Sequence, residues 1–285
     1  MEDELVTESH GPSGFMYAAI FDGHAGFSSA QFLRHEVYKE CVTALEGGAL
    51  LESQDLSEAE TAVTCAFLQA DKRLLFMCAS SVETVAVGNG NYRLEETQTG
   101  AEKESGSTAT IMFVRSDWLL LAHVGDSCVV LSNGKSCGYL FRSLTTWELQ
   151  ILYSRVCGSL SVSCAFGDVP FKSRKKSMME EGIKDRRWTE AFASMKKLDG
   201  EWLVALPDTS HIDVNEDMEF IILASDGLWD SFKNADAVQF VQKKLKKHAD
   251  AQMWNGQDNV SVIVADFGYR TIHPLFLPQI SQVLT

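Results

Sequence analysis

Four acidic residues stand where apolar runs meet glycine or small polar residues. They are Asp22 in Ile20-Phe21-Asp22-Gly23-His24, Asp126 in His123-Val124-Gly125-Asp126-Ser127, Asp226 in Leu223-Ala224-Ser225-Asp226-Gly227, and Asp258 in Gly256-Gln257-Asp258-Asn259-Val260. Glu2 and Asp3 precede the first apolar run. An Asp at a strand end is commonly a turn former, and each of these alone has that ordinary explanation. Several in one chain differ, because neighbouring strands of a packed sheet bring their ends together. Gathered carboxylates repel one another and resist desolvation unless a cation neutralises them. The available donors are oxygens, with no His or Cys at metal-ligand spacing, which suits Mg²⁺ or Mn²⁺ rather than zinc or copper. Two such ions sharing a carboxylate can hold a water, lower its pKa and direct it at a phosphorus centre. The residues alone point to a two-metal phosphoryl hydrolase.

The elements that must position these residues are readable from pattern. Phe15 to Phe21 is a short apolar, aromatic-rich run and predicts a buried strand. From Ser28, Phe32, Leu33, Val37, Cys41, Ala44 and Leu45 recur at helical spacing, with Gly47-Gly48 as the stop. A second helix is predicted from Ser57, with Glu60 completing a capping box and Val63, Ala66, Phe67, Ala70, Leu74 and Met77 forming the apolar face. Val87 to Ser105 reads as a solvated loop. Thr108–Val114, Trp118–Val124 and Cys128–Leu131 then predict an antiparallel meander, with Asn133-Gly134 as a hairpin turn. Phe220–Ala224 and Val260–Ala265 are further buried strands, and Val238, Val241 and Leu245 mark a helix starting near Asn234.

The chain has 285 residues, of which 45% are hydrophobic and 22% charged, as in ordinary globular proteins; disordered, collagen-like and coiled-coil classes are excluded. Its net charge of −14 disfavours nucleic acid as a partner. Seven cysteines, an odd number without a C-x-x-C pair, favour reduced thiols and a soluble intracellular protein. No apolar run approaches the roughly 20 residues needed to span a bilayer, and no early positive charge marks a presequence. One dissenting patch is basic: Lys172, Arg174, Lys175, Lys176, Lys184, Arg186 and Arg187. It reads either as a docking surface for an anionic substrate or as a solvated loop and helix.

Seven ordered motifs carry a resemblance: Met1-Glu2-Asp3, Phe21-Asp22-Gly23-His24-Ala25-Gly26, Gly106-Ser107-Thr108-Ala109, Val124-Gly125-Asp126-Ser127, Ala165-Phe166-Gly167-Asp168, Ser225-Asp226-Gly227-Leu228-Trp229-Asp230 and Gln257-Asp258-Asn259-Val260-Ser261. Together they resemble the motifs of the metal-dependent protein phosphatase 2C family, over Met1 to about Phe267. The resemblance implies an α+β fold, a four-layer α/β/β/α sandwich of antiparallel sheets flanked by helix pairs. It implies one catalytic domain over 1–267, with a flap-like insertion at 168–200 and a C-terminal tail at 268–285. The implied activity is hydrolysis of phosphoserine or phosphothreonine in a phosphorylated protein substrate by a Mg²⁺- or Mn²⁺-activated water, with a monomer expected. Asp22 would bridge two metals, with Glu2 and the Gly23 carbonyl on one, Asp226 and Asp258 on the other, and Asp3 behind them. Asp126 and Asp230 match positions that, with Asp226, hold a weaker third ion in some members. His24 matches either the general acid for the leaving oxygen or a partner orienting a carboxylate. The stretch from Ala165 through Arg187-Trp188 to Pro207-Asp208 resembles plant thylakoid-associated members acting on light-harvesting antenna proteins, which implies a chloroplast location, stromal and thylakoid-associated.

The likeness has gaps. The family carries an Arg three residues before the Met of its first motif, gripping the substrate phosphate, and this chain begins at that Met. A bidentate phosphate clamp is not replaced by a nearby lysine without loss. The strand that should carry the Arg is missing with it, which predicts that Glu2 sits on a frayed terminus. Cys164 stands where the family has an Arg, the Asp-His-x-Pro segment after Asn133-Gly134 is replaced by Tyr139-Leu140-Phe141-Arg142-Ser143-Leu144, and the stretch between Asp230 and Asp258 is short. The expectation is a partly preserved metal site and weak catalysis. The alternative is a catalytically inactive phosphatase-like binding module; a two-metal nuclease fits the carboxylates but clashes with the charge.

Overall fold

The computed structural model describes residues 2–8, 14–53, 55–79, 82–86, 92–96, 104–133, 137–141, 151–152, 155–156, 160–191, 202–247, 261–267 and 279–283. In chain order the strands are β1 (Glu4–Glu8), β2 (Met16–Phe21), β3 (Gly23–His24), β4 (Val82–Ala86), β5 (Tyr92–Glu96), β6 (Gly106–Ser107), β7 (Ala109–Val114), β8 (Trp118–Val124), β9 (Cys128–Ser132), β10 (Cys137–Phe141), β11 (Ile151–Leu152), β12 (Arg155–Val156), β13 (Phe166–Gly167), β14 (Asp208–Asp213), β15 (Phe220–Ala224), β16 (Val262–Asp266) and β17 (Gln279–Val283). The helices are α1 (Ser28–Ala44), α2 (Ser57–Ala79), α3 (Val169–Lys172), α4 (Lys175–Lys184), α5 (Asp226–Trp229) and α6 (Asn234–Lys247).

Two five-stranded antiparallel sheets stack face to face. The first runs β1-β2-β7-β8-β14 and the second β10-β9-β15-β16-β17. β2, β7 and β8 are buried along their whole length, because both faces of this sheet are covered. Tyr17, Ala19, Phe21, Ile111, Phe113, Leu120 and Ala122 face Leu33, Val37 and Cys41 of α1 and Val63, Phe67 and Ala70 of α2. The alternate residues Met16, Ala18, Ile20, Met112, Leu119 and Leu121 meet Val129, Ile221, Leu223 and Ile263 of the second sheet. The outer face of that sheet, through Val130, Phe220, Ile222 and Val264, packs on Leu228, Ala237 and Val238 of α5 and α6. The layers are therefore helix, sheet, sheet, helix, as expected.

Several local expectations need correction. The meander divides between sheets: β8 does not continue into β9, because the chain turns at Gly125-Asp126-Ser127 and β9 pairs with β15 and β10. The stretch read as a loop from Val87 contains β5, which pairs with β4. Glu60 does not close a capping box: its Oε1 takes a hydrogen bond from His211 Nδ1 (2.8 Å), while Asp55 Oδ1 accepts the Ser57 N–H. Met77 is 52% exposed rather than part of the buried stripe. Residues Gln279–Val283, expected in a tail, form the edge strand beside β16. Glu2 is not frayed, since β1 pairs with β2 from Glu4 onward and the Glu2 carbonyl lies against Gly23.

Candidate active site

A third, small sheet, β13-β6-β3, lies at the ends of β2 and β7. Its strands have two residues each and gather Gly23-His24, Gly106-Ser107 and Phe166-Gly167 from distant parts of the chain. Asp22 sits just before β3 and is held on both backbone groups. Its carbonyl accepts the Thr108 N–H at 2.9 Å, and its N–H donates to Thr108 Oγ1 at 3.3 Å. Thr108 Oγ1 also lies 3.0 Å from Ser127 Oγ, so one threonine ties Asp22 to the Gly125-Asp126-Ser127 turn.

That turn is fixed from beneath by His123. A carbonyl only accepts, so His123 Nε2 donates to Gly125 O (3.1 Å), and Nδ1 accepts from the Thr110 hydroxyl (2.8 Å). Gly125 has φ +112, a left-handed conformation, and a Cβ there would strike Thr108. Asp226 opens α5 directly after β15, and Asp230 follows one turn later with its N–H donating to Asp226 O (2.8 Å). Asp3 is buried, Asp22, Asp126 and Asp226 are partly buried, and Asp230 is exposed.

The acids act strongly on one another. Burial pushes the Asp22 carboxyl up to about 9, helped by the charges of Asp3, Asp226 and Asp126 and by a hydrogen bond with the Asp226 side chain. Burial, then Asp226, pushes Asp126 up to about 6, with Asp230 adding to the rise and its own backbone N–H and His24 opposing it. Asp3, Asp126 and Asp226 thus act on Asp22, Asp226 and Asp230 act on Asp126, and Glu2 acts on His24. Asp258 lies outside the described residues. Among the described residues no group of three or more His, Cys, Asp or Glu side chains stands in metal-ligating geometry. The donor set still fits a hard divalent ion: it is carboxylate and carbonyl oxygen, and its self-repulsion is the kind a cation relieves.

His24 is oriented by a residue to which the sequence motifs gave no role. Its Nε2 lies 2.8 Å from Asp168 Oδ2, across 144 positions of chain. Asp168 is buried and holds a left-handed conformation (φ 52), anchored by its N–H on Ser105 O at 3.0 Å. Burial works to lower the His24 pKa, but the hydrogen bond and charge of Asp168, with Asp126 and Glu2, raise it overall. Gly106 makes room for this pair, because a Cβ there would overlap both His24 Nε2 and Asp168 Oδ2. The motif Ala165-Phe166-Gly167-Asp168 was the available signal, but only the pairing of β13 with β6 shows where its Asp points.

The basic cluster is not a uniform surface. Lys172 is buried on Asp71, Arg174 pairs with Glu104, Lys175 lies over the Trp202 ring at 5.6 Å, and Arg187 lies over Trp188 at 5.1 Å. Lys176, Lys184 and Arg186 are exposed. Cys164 forms an isolated parallel bridge to Val204, and burial raises its thiol pKa.

Comparison with known proteins adds the following. A family model described as Protein phosphatase 2C matches residues 1–147 and 141–258. Protein phosphatase 2C 57 of Arabidopsis thaliana is 40% identical over 295 aligned positions, covering 94% of this chain and 72% of that protein. A C. elegans sex-determining protein superposes with a TM-score of 0.62 at 19% identity, over 93% of this chain and 61% of that one. A serine-threonine phosphatase 2C from Toxoplasma gondii superposes with a TM-score of 0.54 at 16% identity, over 86% and 84% respectively. The two structural likenesses concern the fold.

Proposed function

The chain belongs to the protein phosphatase 2C family, and we propose that it is a Mg²⁺- or Mn²⁺-dependent phosphatase for phosphoserine and phosphothreonine in proteins. Residues 1–267 act as one catalytic domain, with β17 added at the edge of its second sheet. Asp22 would be shared by two ions, with Glu2 and the Gly23 carbonyl on one side and Asp226 and Asp258 on the other. Asp3 stands behind them, and Asp126 and Asp230, with Asp226, would hold a weaker third ion. When bound, the ions supply a water of lowered pKa and neutralise charge on the phosphoryl oxygens.

The chain's own residues do the rest. Thr108 and Ser127 hold the Asp22 backbone and the neighbouring turn in one frame. A carboxylate accepts, so His24 Nε2–H donates its hydrogen bond to Asp168 Oδ2, which leaves Nδ1 to serve the substrate. The raised His24 pKa favours the imidazolium, which can hand its Nδ1 proton to the departing serine or threonine oxygen. That transfer matters because an alkoxide is a poor leaving group without a proton.

The observation that supports this reading is that Asp22, Asp126 and Asp226, from three separate strand ends, act on one another's charge, which adds to burial in raising the Asp22 carboxyl to about 9. The net charge of −14 supports a protein substrate over nucleic acid. Among the described residues no helix is long and apolar enough to cross a membrane; a monomer at a stromal, thylakoid-associated chloroplast location belongs to the same proposal. A second reading, a binding module without turnover, is favoured by the lack of ready ligating geometry among the described residues. Phosphate release from a phosphothreonine peptide, with Mn²⁺ added to chelator-treated protein, tests the first reading. Metal-dependent turnover is expected; metal binding by calorimetry without turnover would favour the module.

A further inference from the structure

Asp71, in the middle of α2, is a buried acid that neither the candidate metal site nor the expected helix face accounts for. Its Oδ1 accepts the Gly167 N–H at 3.0 Å. Lys172 Nζ reaches both of its oxygens, at 2.8 and 2.7 Å, and a third acceptor, Ala165 O, at 2.7 Å. All three ammonium donors are thus used, and the Lys172 side chain is 5% exposed. The two anchored peptide groups flank Phe166, whose ring packs on Phe67 of α2 at 5.2 Å between centroids. The next residue along is Asp168, whose left-handed backbone leaves its carboxylate on His24. Gly167 is itself left-handed (φ +72) and closed in by Ser105 O and Ser29 Oγ, so this turn has little room to settle elsewhere.

We infer that Asp71 and Lys172 are positioning residues for His24. The pair clamps Ala165 and Gly167 to α2, the clamp sets the Asp168 carboxylate, and Asp168 sets which His24 nitrogen faces substrate. A charged pair buried away from solvent is an expensive way to pin a loop, since apolar packing would serve stability as well or better. Its geometric advantage is direction: a carboxylate and an ammonium fix two peptide groups at defined angles. The inference rests on the phosphatase reading only for what His24 does; the clamp itself is a matter of geometry.

The test uses the full chain and the variants Asp71→Asn, Lys172→Met and the double Asp71→Asn/Lys172→Met. The double variant removes both charges, so no unpaired ion is left buried. Turnover is compared on a phosphothreonine peptide and on p-nitrophenyl phosphate, whose leaving group departs without a proton. The expected result is a kcat loss of roughly 10-fold or more on the peptide, little change on p-nitrophenyl phosphate, and an unchanged KM for both. In a His24→Asn background the double variant should cause no further loss on the peptide. Equal losses on both substrates, or losses that persist without His24, would overturn the inference. Should the unmodified chain turn over neither substrate with Mn²⁺, the phosphatase reading falls, and NMR of ¹⁵N-histidine-labelled protein decides the clamp alone. With the His24 signal assigned by its disappearance in His24→Asn, the double variant should shift the Nε2 resonance in the direction that Asp168→Asn shifts it. An unmoved resonance would overturn the inference.

Discussion

Gly106 and His24 are paired residues of β6 and β3, and the space where a side chain would begin on Gly106 is filled by His24 Nε2 and Asp168 Oδ2. The hydrogen bond between those two atoms therefore depends on the absence of a methyl group. Replacing Gly106 by Ala should separate His24 from Asp168. The expected outcome is a kcat loss of roughly 100-fold on a phosphothreonine peptide, with a stability loss of about 1–3 kcal/mol from overpacking. Steady-state kinetics beside urea unfolding would check both; unchanged kcat would mean the pair is not used.

His123 gives a pH signature. Burial pushes its pKa down to about 4, against the pull of the Gly125 carbonyl. Between the unfolded value near 6.5 and 4, the unfolded chain binds more protons than the folded one. Stability contributed by neutral His123 is therefore complete above about pH 6.5 and is lost as pH falls towards 4, by about 3 kcal/mol. Asp126 and Asp22, raised to about 6 and about 9, act in the opposite sense, and their contribution fades as pH rises. The difference between unmodified protein and His123→Gln isolates the histidine. Urea unfolding from pH 4 to 7 should show an unmodified-minus-variant difference in stability that grows as pH rises towards 6.5 and then levels off; parallel curves would contradict this account.

The fold was more legible than the site, for physical reasons. β2, β7 and β15 read as buried strands because both of their faces are covered, which leaves an unbroken apolar run. α1 and α2 read clearly because one face of each meets the first sheet. The divided meander was hidden, since a tight turn between strands looks the same whether the next strand pairs back or joins another sheet. β3, β6 and β13 have two residues each and carry no periodicity, so Asp168 could not be matched to His24. Lys172 was concealed in a run of charges that composition alone describes as surface.

Gly182 and Trp188 form a second close fit. A Cβ on Gly182 would enter the Trp188 ring, whose Nε1 donates to Met179 O at 3.0 Å within a cluster of Met178, Met179 and Trp202. Gly182→Ala should displace the tryptophan, shift the fluorescence emission to the red and destabilise this segment by about 1–3 kcal/mol. If the segment also contacts substrate, KM for a phosphopeptide rises while kcat holds. An unshifted emission spectrum would show that the ring has another place to go.

Divalent ions should stabilise the folded chain because they bind carboxylates that only the fold assembles. Mn²⁺ is expected to raise the melting temperature of chelator-treated protein. The rise should grow with pH, as Asp126 and Asp22 give up the protons that otherwise relieve their repulsion. A thermal-shift series from pH 5 to 9, with and without Mn²⁺, measures this. A shift independent of pH would place the ion elsewhere.

The central claim is that acids from separate strand ends hold divalent ions that make a nucleophile of water. Its most direct measurement is phosphate release from a phosphothreonine peptide by unmodified protein and Asp22→Asn, each with and without Mn²⁺, alongside calorimetric titration of the ion. The account predicts Mn²⁺-dependent turnover and a clear binding isotherm for the unmodified protein, both lost in Asp22→Asn. Turnover that survives chelation, or that Asp22→Asn leaves intact, would contradict it.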